Sequence, residues 1–441
     1  MEEIRNVIDN KLRNIKHATI PYNEKWKTKK GDSIPVVTYS FPQSIPSNYY
    51  YYELNHKIPI SSLNQLQIDQ AKSTFRNISD VTNISFTEVK YTEVKYTEVN
   101  ISIVNFHSKN PMHISGYAYF PNSGNFSPIC INADHSKNLA PTYLNSGGHV
   151  IVHEILHAVG LKHTHDTAGL TQRESVMSYF SEQYSGANYG GHHVSTPQLY
   201  DIAALQYLYG ANMRTRSGNT TYGFNSNSGR KHFSARNSND PLIFCVWDAG
   251  GIDTFDFSEY TQNQMINLNQ GSFSNVGGLT GNISIAFNVT IENTIGGKGN
   301  DILIGNQENN TLKGGSGDDQ LDGGIGADHL WGGKGRDIFR YSDINDSTLN
   351  AADTIYDFQS GQDKIDLSSL ANGNIILTDG FRSTDHHRGR TEVAQFYGET
   401  SDLTYLMINF DHTDQTDMVI KLAGKHQLTA HDFICAPLLT A

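Results

Sequence analysis

Three histidines and one glutamate occur at a spacing that suits a catalytic metal ion. They lie in the segment HEILHAVGLKH, which begins at residue 153. On a helix, residues four apart share one face, so His153 and His157 can bind the same ion. Gly160 would end that helix and let the chain turn sharply, which brings His163 back as a third nitrogen ligand. Three imidazoles leave a fourth position open, as in catalytic zinc sites, and Glu154 can polarise a water molecule there without being a ligand.

The alternative is that these are ordinary surface histidines in a chain that contains 19 of them. Five fixed positions match at once, however, which happens by chance in roughly one of several thousand chains of this length. The sequence therefore favours the metal site. Four neighbouring histidines are instead predicted to be solvated or to support the ligands: His149, His165, His192 and His193.

A methionine in the segment SVMSYF, Met177, follows His163 by fourteen residues. A methionine between the third ligand and the next helix is typical of metzincins, in which a tight turn places it beneath the zinc ion. Alone, the Met-Ser-Tyr tripeptide would indicate little. After this zinc motif it supports the same catalytic site.

The elements that must position these residues are predicted from apolar spacing and capping residues. Residues 146–160 predict a helix that Ser146 caps and Gly160 terminates, and Pro197–Tyr209 predicts a second helix. Three tandem pentads at residues 86–100 are interpreted as a small duplication absorbed in a hairpin or bulge. The further predicted elements are a helix at Ser61–Phe75 and strands at Ile34–Phe41 and Phe86–Phe106. Together they indicate a mixed α+β domain.

From residue 296 the chain repeats every nine residues with the pattern Gly-Gly-x-Gly-x-Asp-x-apolar-x. This period is typical of a parallel β-helix whose turns bind calcium. The glycines permit left-handed turns and expose carbonyl oxygens, and each aspartate supplies a carboxylate oxygen. The predicted calcium ligands in the four complete units are Gly296, Gly297, Gly299, Asp301, Gly314, Gly315, Gly317, Asp319, Gly323, Gly324, Gly326, Asp328, Gly332, Gly333, Gly335 and Asp337.

The second unit departs from the pattern, because Asn306 and Asn310 replace a glycine and the aspartate. We expect a weaker or missing calcium site there. Because the turns of a roll alternate between two edges, each ion is shared by units two apart. One edge is therefore expected to hold Asp301, Asp319 and Asp337, and the other Asp328.

Composition sets further limits on the protein. A length of 441 residues predicts two domains, and the net charge of −12 argues against nucleic acid and anionic membranes as partners. The three cysteines share no metal spacing, and we expect no disulfide. The N-terminus has neither a cationic start nor an apolar stretch, so it does not resemble a secretory signal peptide.

With these motifs, the sequence resembles the serralysin family of secreted bacterial metalloproteases over most of its length. The resemblance implies an α+β metzincin-type catalytic domain followed by an all-β parallel β-roll (β-helix) domain. It implies hydrolysis of extended polypeptides with broad specificity, in which Glu154 takes a proton from zinc-activated water and passes it to the leaving amine. In the family, the tyrosine two residues after the methionine is a fifth zinc ligand that swings away to stabilise the tetrahedral intermediate. That position here is Tyr179.

The resemblance also assigns residues that spacing alone does not identify. The segment that matches the substrate-binding edge strand contains Gly116, Tyr117, Ala118 and Tyr119, although the two tyrosines could simply pack. The positions that match upstream calcium ligands are Arg216, Gly218, Thr220, Asp248, Gly250, Gly251, Asp253, Thr290 and Glu292. One zinc ion and several calcium ions are therefore expected.

The expected domains are a possible propeptide or N-terminal segment (1–18), a zinc metallopeptidase domain (19–212) and a calcium-binding β-roll domain (213–441) with the nonapeptide repeats at 296–340. Without calcium, the acidic repeats would repel one another and stay disordered, which suits export through a narrow channel. The family leaves the cell through type I secretion machinery that reads an uncleaved C-terminal signal. We therefore expect an extracellular monomer, with a small protein inhibitor as a candidate further partner.

The sequence departs from the family at three places. Thr164 and His165 follow the third histidine, where the family usually has a proline directly after it. Three cysteines occur in a family that generally lacks them, and residues 436–441 extend past the Asp-Phe-Ile-Cys segment that fits the export signal. Two rival functions are weighed against the peptidase. One is a catalytically silent calcium-dependent adhesin, which the intact zinc motif disfavours. The other is a zinc enzyme that acts on a small molecule, which the complete metzincin arrangement disfavours.

Overall fold

The structure is a computed structural model, and it describes residues 25–29, 31–43, 50–53, 56–90, 99–108, 114–121, 126–165, 169–371, 373, 375–378, 391–410 and 415–436. The chain forms two compact units. The first extends to Ser217 and also includes Ile243–Ala249 and Thr280–Val289. The second contains Gly218–Leu242, Gly250–Leu279 and the chain from Thr290 onward. The predicted segment 1–18 lies outside the described residues. The predicted boundary at residue 212 would assign Ile243–Ala249 and Thr280–Val289 to the second domain, whereas both segments belong to the first unit.

The first unit is built on a mixed sheet with a parallel core. Its strands are β1 (Val36–Ser40), β2 (Tyr50–Glu53), β3 (His56–Ser61), β4 (Ser85–Glu88), β5 (Ile101–Phe106), β6 (Gly116–Ala118) and β7 (Ser127–Asn132). Strands β1, β4, β5 and β7 run parallel, whereas β3 is antiparallel to β5 and β6 is antiparallel to β7. All six residues of β5 and of β7 are buried, as expected for parallel strands covered on both faces.

Among the described residues, four helices accompany this sheet: α1 (Gln65–Val81), α2 (Ser136–Leu139), α3 (Ser146–Ala158) and α4 (Leu199–Tyr209). Helix α1 begins at a capping box in which the side chains of Asn64 and Gln67 satisfy each other's backbone N–H groups. Helix α3 packs against α1, β6 and β7. A short 3₁₀ helix at Glu182–Ser185 belongs to the same unit. Helix α3 is therefore held between a helix and the sheet edge.

Two of the predicted elements are wrong in their bounds. The predicted strand Phe86–Phe106 is two separate strands, β4 and β5, which pair with opposite edges of β1 and not with each other. The helix predicted at Ser61–Phe75 starts after Asn64, because Ser61 belongs to β3, and it continues to Val81. Residues 91–98 of the pentads lie outside the described residues.

The remaining strands, in chain order, are β8 (Thr221–Gly223), β9 (Phe244–Val246), β10 (Thr254–Asp256), β11 (Met265–Asn267), β12 (Phe273–Ser274), β13 (Ile283–Ile285), β14 (Asn293–Ile295), β15 (Ile302–Asn306), β16 (Thr311–Ser316), β17 (Gln320–Gly324), β18 (His329–Lys334), β19 (Ile338–Arg340), β20 (Asp353–Ile355), β21 (Lys364–Asp366), β22 (Ile376–Thr378), β23 (Glu392–Gly398), β24 (Leu403–Asn409), β25 (Met418–Ala423) and β26 (Phe433–Ile434). Strands β9 and β13 form a parallel pair in the first unit. Two 3₁₀ helices, at Lys231–Phe233 and Ala430–Asp432, lie in the second unit.

The second unit contains a parallel β-roll. One sheet includes β14, β16, β18 and β20 in that order, and the other includes β15, β17, β19 and β21. Residues eighteen apart face each other, such as Leu312 with Leu330 and Leu303 with Leu321. The apolar eighth residue of each unit is fully buried: Leu303, Leu312, Leu321, Leu330 and Phe339. The predicted order, an α+β domain followed by an all-β roll, is confirmed.

The remaining predictions about the chain concern membranes and cysteines. None of the helices within the described residues is long and apolar enough to cross a membrane. Cys130 and Cys245 are buried and Cys435 is half-buried, and none of the three is in a disulfide.

Candidate active site and metal centres

Helix α3 carries the first two predicted zinc ligands, and its start is fixed by small residues. The Asn145 side chain caps it by accepting the N–H of Gly148 at 2.8 Å. Ser146, the predicted cap, already lies within the helix, because Asn145 is the last residue with an extended backbone. A Cβ atom at Gly147 would clash with the carbonyl of Lys137. Only glycine lets α3 begin so close to α2.

The other end of α3 turns sharply, as the sequence predicts. The helix ends at Ala158, and Gly160 has a φ of +105°, a conformation that favours glycine. The chain then returns across the helix end, where the Leu161 carbonyl accepts a hydrogen bond from His157 Nδ1 at 2.7 Å. This turn brings His163 to the same side as the two helical histidines.

The three imidazoles converge through one nitrogen each. His163 Nε2 lies 3.1 Å from His153 Nε2 and 2.9 Å from His157 Nε2. In the described part of the chain, these three residues are the group of potential metal ligands found within 4.8 Å of one another. The nitrogens sit slightly closer than the ~3.3 Å separation expected for neighbouring ligands of tetrahedral zinc with Zn–N bonds of about 2.0–2.1 Å.

Hydrogen bonds orient these rings for a metal. His153 Nδ1 donates to the Val176 carbonyl at 3.0 Å, and His157 Nδ1 donates to the Leu161 carbonyl. A carbonyl only accepts, so the Nε2 atoms of these two rings carry lone pairs when the rings are neutral. Burial lowers the pKa of His153, and it lowers the pKa of His157 to about 4, which keeps both rings neutral. Converging lone pairs repel unless a cation lies between them, so the residues fit a zinc ion.

Glu154 is buried beside this cluster and against the edge strand. A Cβ atom at Gly116 would lie 2.9 Å from Glu154 Cγ and 3.0 Å from Glu154 Oε1. Burial raises the pKa of the Glu154 carboxyl to about 8. Its Oε2 atom is buried and makes no hydrogen bond with any described residue. The carboxylate is thus packed on its Oε1 side, and its second oxygen is left for a partner outside the chain.

The turn that contains Met177 is hydrogen-bonded to Asp201 of α4. Asp201 Oδ1 accepts the Ser175 hydroxyl at 2.6 Å, and Asp201 Oδ2 accepts the Val176 N–H at 2.8 Å. Burial raises the pKa of Asp201 to about 6. Met177 is fully buried. Because the Val176 carbonyl accepts a hydrogen bond from His153, Asp201 supports the His153 ring through one intervening residue.

Tyr179 lies next to the histidines with 63% of its side chain exposed. Its ring centroid is 4.4 Å from that of His163 and 5.7 Å from that of His153. The ring of His165 stacks on it at 4.4 Å with an interplanar angle of 20°. The structure therefore brings Tyr179 to the cluster, as predicted, together with His165, which had been predicted to be a solvated or supporting residue.

The predicted substrate strand is β6, which contains Gly116, Tyr117 and Ala118. Within the described residues β6 pairs with β7, at the edge of the sheet. Tyr117 is half-buried and packs on Phe106 at a centroid distance of 5.3 Å. Tyr119, just after the strand, is 38% exposed. One of the two tyrosines is therefore at least partly a packing residue.

The repeat aspartates form two ladders at opposite edges of the roll. The Asp301 N–H donates to Asp319 Oδ1 at 2.7 Å, and the Asp319 N–H donates to Asp337 Oδ1 at 2.9 Å. On the other edge, the Asn310 N–H donates to Asp328 Oδ1 at 2.7 Å. Asp301, Asp319 and Asp337 thus lie together, and Asp328 lies with the degenerate unit.

These carboxylates suit a cation. The Oδ2 atoms of Asp319 and Asp328 are buried and make no hydrogen bond to a described residue. Burial is the main cause that raises the pKa of both carboxyls to about 7, and neighbouring carboxylates add to it. A Cβ atom at Gly314 would meet Asp319 Oδ2, and one at Gly323 would meet Asp328 Oδ2. A divalent cation is the ligand that this charge and oxygen set would accept.

The other repeat glycines line the same turns. Gly315 and Gly333 have φ values of +114° and +104°. A Cβ atom at either would clash with the carbonyl of the glycine eighteen residues earlier. The same close approach occurs at Gly317 and Gly335. The predicted ligand positions Gly296, Gly297, Gly299, Gly324 and Gly326 also lie against neighbouring turns, whereas a Cβ atom at Gly332 would meet Asp337 of its own unit.

The upstream calcium positions divide between the two units. In the second unit, the Thr220 N–H donates to Asp253 Oδ1 at 2.7 Å and the Asp253 N–H donates to Glu292 Oε2 at 2.7 Å. Gly251 approaches Gly218 so closely that a Cβ atom would lie 2.6 Å from its carbonyl carbon. Two further residues of this unit, Gly250 and Thr290, are exposed.

In the first unit, Asp248 is buried. The Arg216 guanidinium donates to the Trp247 carbonyl and pairs with Asp80 at 3.2 Å. The Arg216 side chain therefore links the Trp247 backbone to helix α1 within this unit.

Sequence reasoning missed three residues in these networks. The ladders continue into Asp353, which accepts the Asp328 N–H at 2.8 Å, and Asp363, which accepts the Asp337 N–H at 3.1 Å. Both lie after the last nonapeptide, so the period could not reveal them. Asp201 was also missed, because the predicted helix starts at Pro197, whereas α4 starts at Leu199 and has Asp201 at its third position.

Comparisons with known proteins agree with this geometry. A family model described as Matrixin matches residues 47–210, and one described as Peptidase M10 serralysin C terminal matches residues 211–435. "Serralysin A" of Dickeya chrysanthemi is 48% identical over 384 residues, which cover 84% of this chain and 80% of that protein. "Metalloprotease AprA" of Pseudomonas entomophila (strain L48) is 42% identical over 427 residues, with coverages of 92% and 86%. "Serralysin" of Proteus mirabilis is 42% identical over 428 residues, with coverages of 88% and 85%.

A histidine triad with one nitrogen of each ring converging, on a helix of a Matrixin-type domain, defines the class of the protein. It is a zinc metalloendopeptidase that acts on polypeptides. More narrowly, the chain belongs to the serralysin family, which confirms the resemblance inferred from the motifs.

Proposed function

We propose that the chain is a secreted endopeptidase that cleaves extended polypeptides with broad specificity, and that calcium folds and stabilises its second unit. One observation carries the enzymatic part. Three Nε2 atoms converge beside a buried carboxylate whose second oxygen has no hydrogen-bond partner among the described residues. This arrangement supplies both a metal site and a base next to its open side.

In this proposal His153, His157 and His163 hold the zinc ion, and Met177 supports them from below. When bound, the ion supplies Lewis acidity, which polarises the scissile carbonyl and acidifies a water molecule. Glu154 takes the proton of that water and returns it to the leaving amine. The remaining requirement is stabilisation of the negative charge that develops on the substrate oxygen.

Tyr179 is proposed to meet that requirement by donating its hydroxyl hydrogen to the substrate oxygen. At rest it would act as a further zinc ligand, as the family resemblance implies. Two observations support this movement between the zinc ion and the substrate oxygen: the Tyr179 ring lies beside His153 and His163, and it is largely exposed.

The substrate is proposed to add to the sheet as an extended strand along β6. Pairing of main chain with main chain would recognise the peptide backbone rather than particular side chains, which accounts for broad specificity. Gly116 and Ala118 are small enough to let a polypeptide approach, and the exposed Tyr119 can contact its side chains.

Calcium is proposed to bind at the repeat aspartates, at the glycine carbonyls and at the upstream positions named above. Buried carboxylates stacked at each edge would repel one another without a cation, so calcium binding would be coupled to folding of the roll. Export by type I machinery through a C-terminal signal would use the calcium-free, disordered chain. The segment Asp432-Phe433-Ile434-Cys435 fits the C-terminal export signal, and residues 437–441 lie outside the described residues. A small protein inhibitor remains a proposed partner.

The test is hydrolysis of casein in millimolar calcium, with and without a chelator that prefers zinc over calcium. We expect the chelator to abolish cleavage and added zinc to restore it. A Glu154→Ala variant should retain its zinc, measured by mass spectrometry, and lose at least about 1,000-fold in kcat. Glu154→Gln is the matched control, because it keeps the packing against Gly116 and removes only the base. A calcium-folded, zinc-loaded wild-type protein that leaves casein intact would overturn the proposal.

A further inference from the structure

We propose that His165 is a positioning residue for Tyr179: its imidazole stacks on the tyrosine ring and thereby fixes the plane of that ring. This inference rests on the proposed role of Tyr179 in peptide hydrolysis. It concerns the position two residues beyond the third zinc ligand, in the segment where the sequence departs from the family.

The first observation is the stacking of the two rings. The His165 and Tyr179 centroids are 4.4 Å apart and their planes differ by only 20°. Aromatic pairs at this distance attract each other beyond the gain from surface burial. The His163 ring is as close but tilted by 50°, and the His153 ring is nearly parallel but 5.7 Å away, so His165 is the ring of these three that is both close and nearly parallel.

The second observation is that two hydrogen bonds hold the His165 segment alongside the turn that carries Tyr179. The Thr164 N–H donates to the Met177 carbonyl at 3.3 Å. The Tyr179 N–H donates to His165 Nδ1 at 3.4 Å. A proline at position 164 could not make the first bond, because proline has no N–H group. Thr164 and His165 therefore join the loop after the third ligand to the methionine turn.

The third observation is that His165 is itself supported. The Phe180 ring meets the imidazole edge-on, with a centroid distance of 5.8 Å and an interplanar angle of 75°. His165 Nδ1 accepts the Tyr179 N–H, so the proton of the neutral ring is on Nε2. The imidazole is thus held by an aromatic contact and a hydrogen bond, and it presents its face to Tyr179.

These contacts restrain the motion that the proposed chemistry requires. Tyr179 must place its hydroxyl near the zinc ligands and then near the substrate oxygen. A stacked neighbour lets the ring slide within its plane but opposes rotation out of it. His165 should therefore affect the rate of the chemical step more than substrate binding, because it acts on the transition-state contact of Tyr179.

The experiment is a double-mutant cycle with His165→Ala, Tyr179→Phe and the two combined, assayed on a quenched fluorescent peptide. We expect His165→Ala to lower kcat about 3- to 10-fold with KM within twofold, the range that loss of one aromatic contact gives. In the Tyr179→Phe background, the same substitution should change kcat by less than 1.5-fold. Equal losses in both backgrounds would overturn the inference, because His165 would then act independently of Tyr179.

Two conservative variants separate the contacts. His165→Phe keeps the stacked ring, so it should restore kcat to within twofold of the wild type. His165→Asn keeps a hydrogen-bond acceptor without the ring, so it should stay as slow as His165→Ala. A higher kcat for His165→Asn than for His165→Phe would exclude stacking as the cause and overturn the inference. Zinc content and melting temperature, measured for each variant, check that the metal site is intact.

A measurement that needs no catalysis tests the contact itself. In zinc-loaded protein labelled with ¹³C-histidine, the His165 ring signal is assigned by its absence in His165→Ala. Stacking predicts that this proton signal lies upfield and moves downfield in Tyr179→Leu. An unchanged signal would refute the stacking even if the protein cleaved no peptide. Failure of the casein assay with a confirmed ring contact would instead refute only the proposed function.

Discussion

Gly116→Ala is expected to slow catalysis substantially without removing zinc. The added Cβ atom would lie 2.9 Å from Glu154 Cγ, 3.0 Å from Glu154 Oε1 and 3.1 Å from Val150 Cγ1. Carbon atoms in ordinary contact are about 3.5–4.0 Å apart. Glu154 must therefore move by roughly 0.6–1 Å, because β6 is paired with β7 and α3 is packed on both sides.

The magnitude follows from that displacement. A misplacement of about 1 Å costs about 100-fold in rate, which corresponds to about 2.7 kcal/mol of transition-state stabilisation. We therefore expect kcat/KM to fall 10- to 100-fold. The zinc content should stay at one ion per chain, because the nearest atoms to the new methyl group belong to Glu154 and Val150 rather than to a histidine.

The assay is the initial rate of cleavage of a fluorescent peptide, with zinc measured on the same sample. The double variant Gly116→Ala with Val150→Ala is the matched control, since it removes the valine contact and keeps the contact with Glu154. It should remain slow. A Gly116→Ala protein with full zinc and kcat/KM within twofold of wild type would refute the reasoning, because Glu154 would then not require its observed position.

Two further predictions concern buried carboxyl groups. When the roll folds without calcium, burial raises the pKa of Asp319 and Asp328 to about 7, so the stability linked to their protonation is lost as the pH rises through about 7. The calcium-free roll should therefore be more ordered at pH 5.5 than at pH 8 by circular dichroism, and added calcium should increase its order more at pH 8. Glu399→Gln, at an exposed position of the second unit, should leave this difference unchanged, whereas Asp319→Asn should reduce it. Equal effects of the two substitutions would contradict the assignment. Asp201→Ala should lower the free energy of unfolding by about 3 kcal/mol or more in urea denaturation, because three hydrogen-bond donors lose their acceptor, while Asp201→Asn should lose less than half as much.

The convergence of the three histidines could be predicted from the sequence because its geometry is local. Two histidines four apart on a helix, and a glycine that ends it, fix three ligands within eleven residues. The cap at Asn145 was harder to predict, since serine and asparagine are adjacent there and both are good N-cap residues. Which of them keeps an extended backbone is decided by the tight packing of Gly147 against α2.

Other features depend on long-range contacts that a single sequence does not display. The segment between β4 and β5 has strand-forming residues throughout, yet the two strands pair with opposite edges of β1. Helix α1 continues to Val81 through polar residues because Ile78 and Val81 are buried. The position of His165 against Tyr179 likewise depends on a turn fourteen residues further along the chain.

The aspartate ladders give the roll a direction. Each backbone N–H at an aspartate position is satisfied by a carboxylate that lies later in the chain, from Asp301 to Asp319 to Asp337 and finally to Asp363. Loss of a turn at the N-terminal end removes donors and leaves the remaining amides satisfied. Loss of the C-terminal end, by contrast, removes a carboxylate acceptor. The buried backbone N–H of the last remaining aspartate in the ladder then has no partner. The roll should therefore tolerate shortening from its N-terminal end but not from its C-terminal end, because its C-terminal turns supply the acceptors that the earlier turns require.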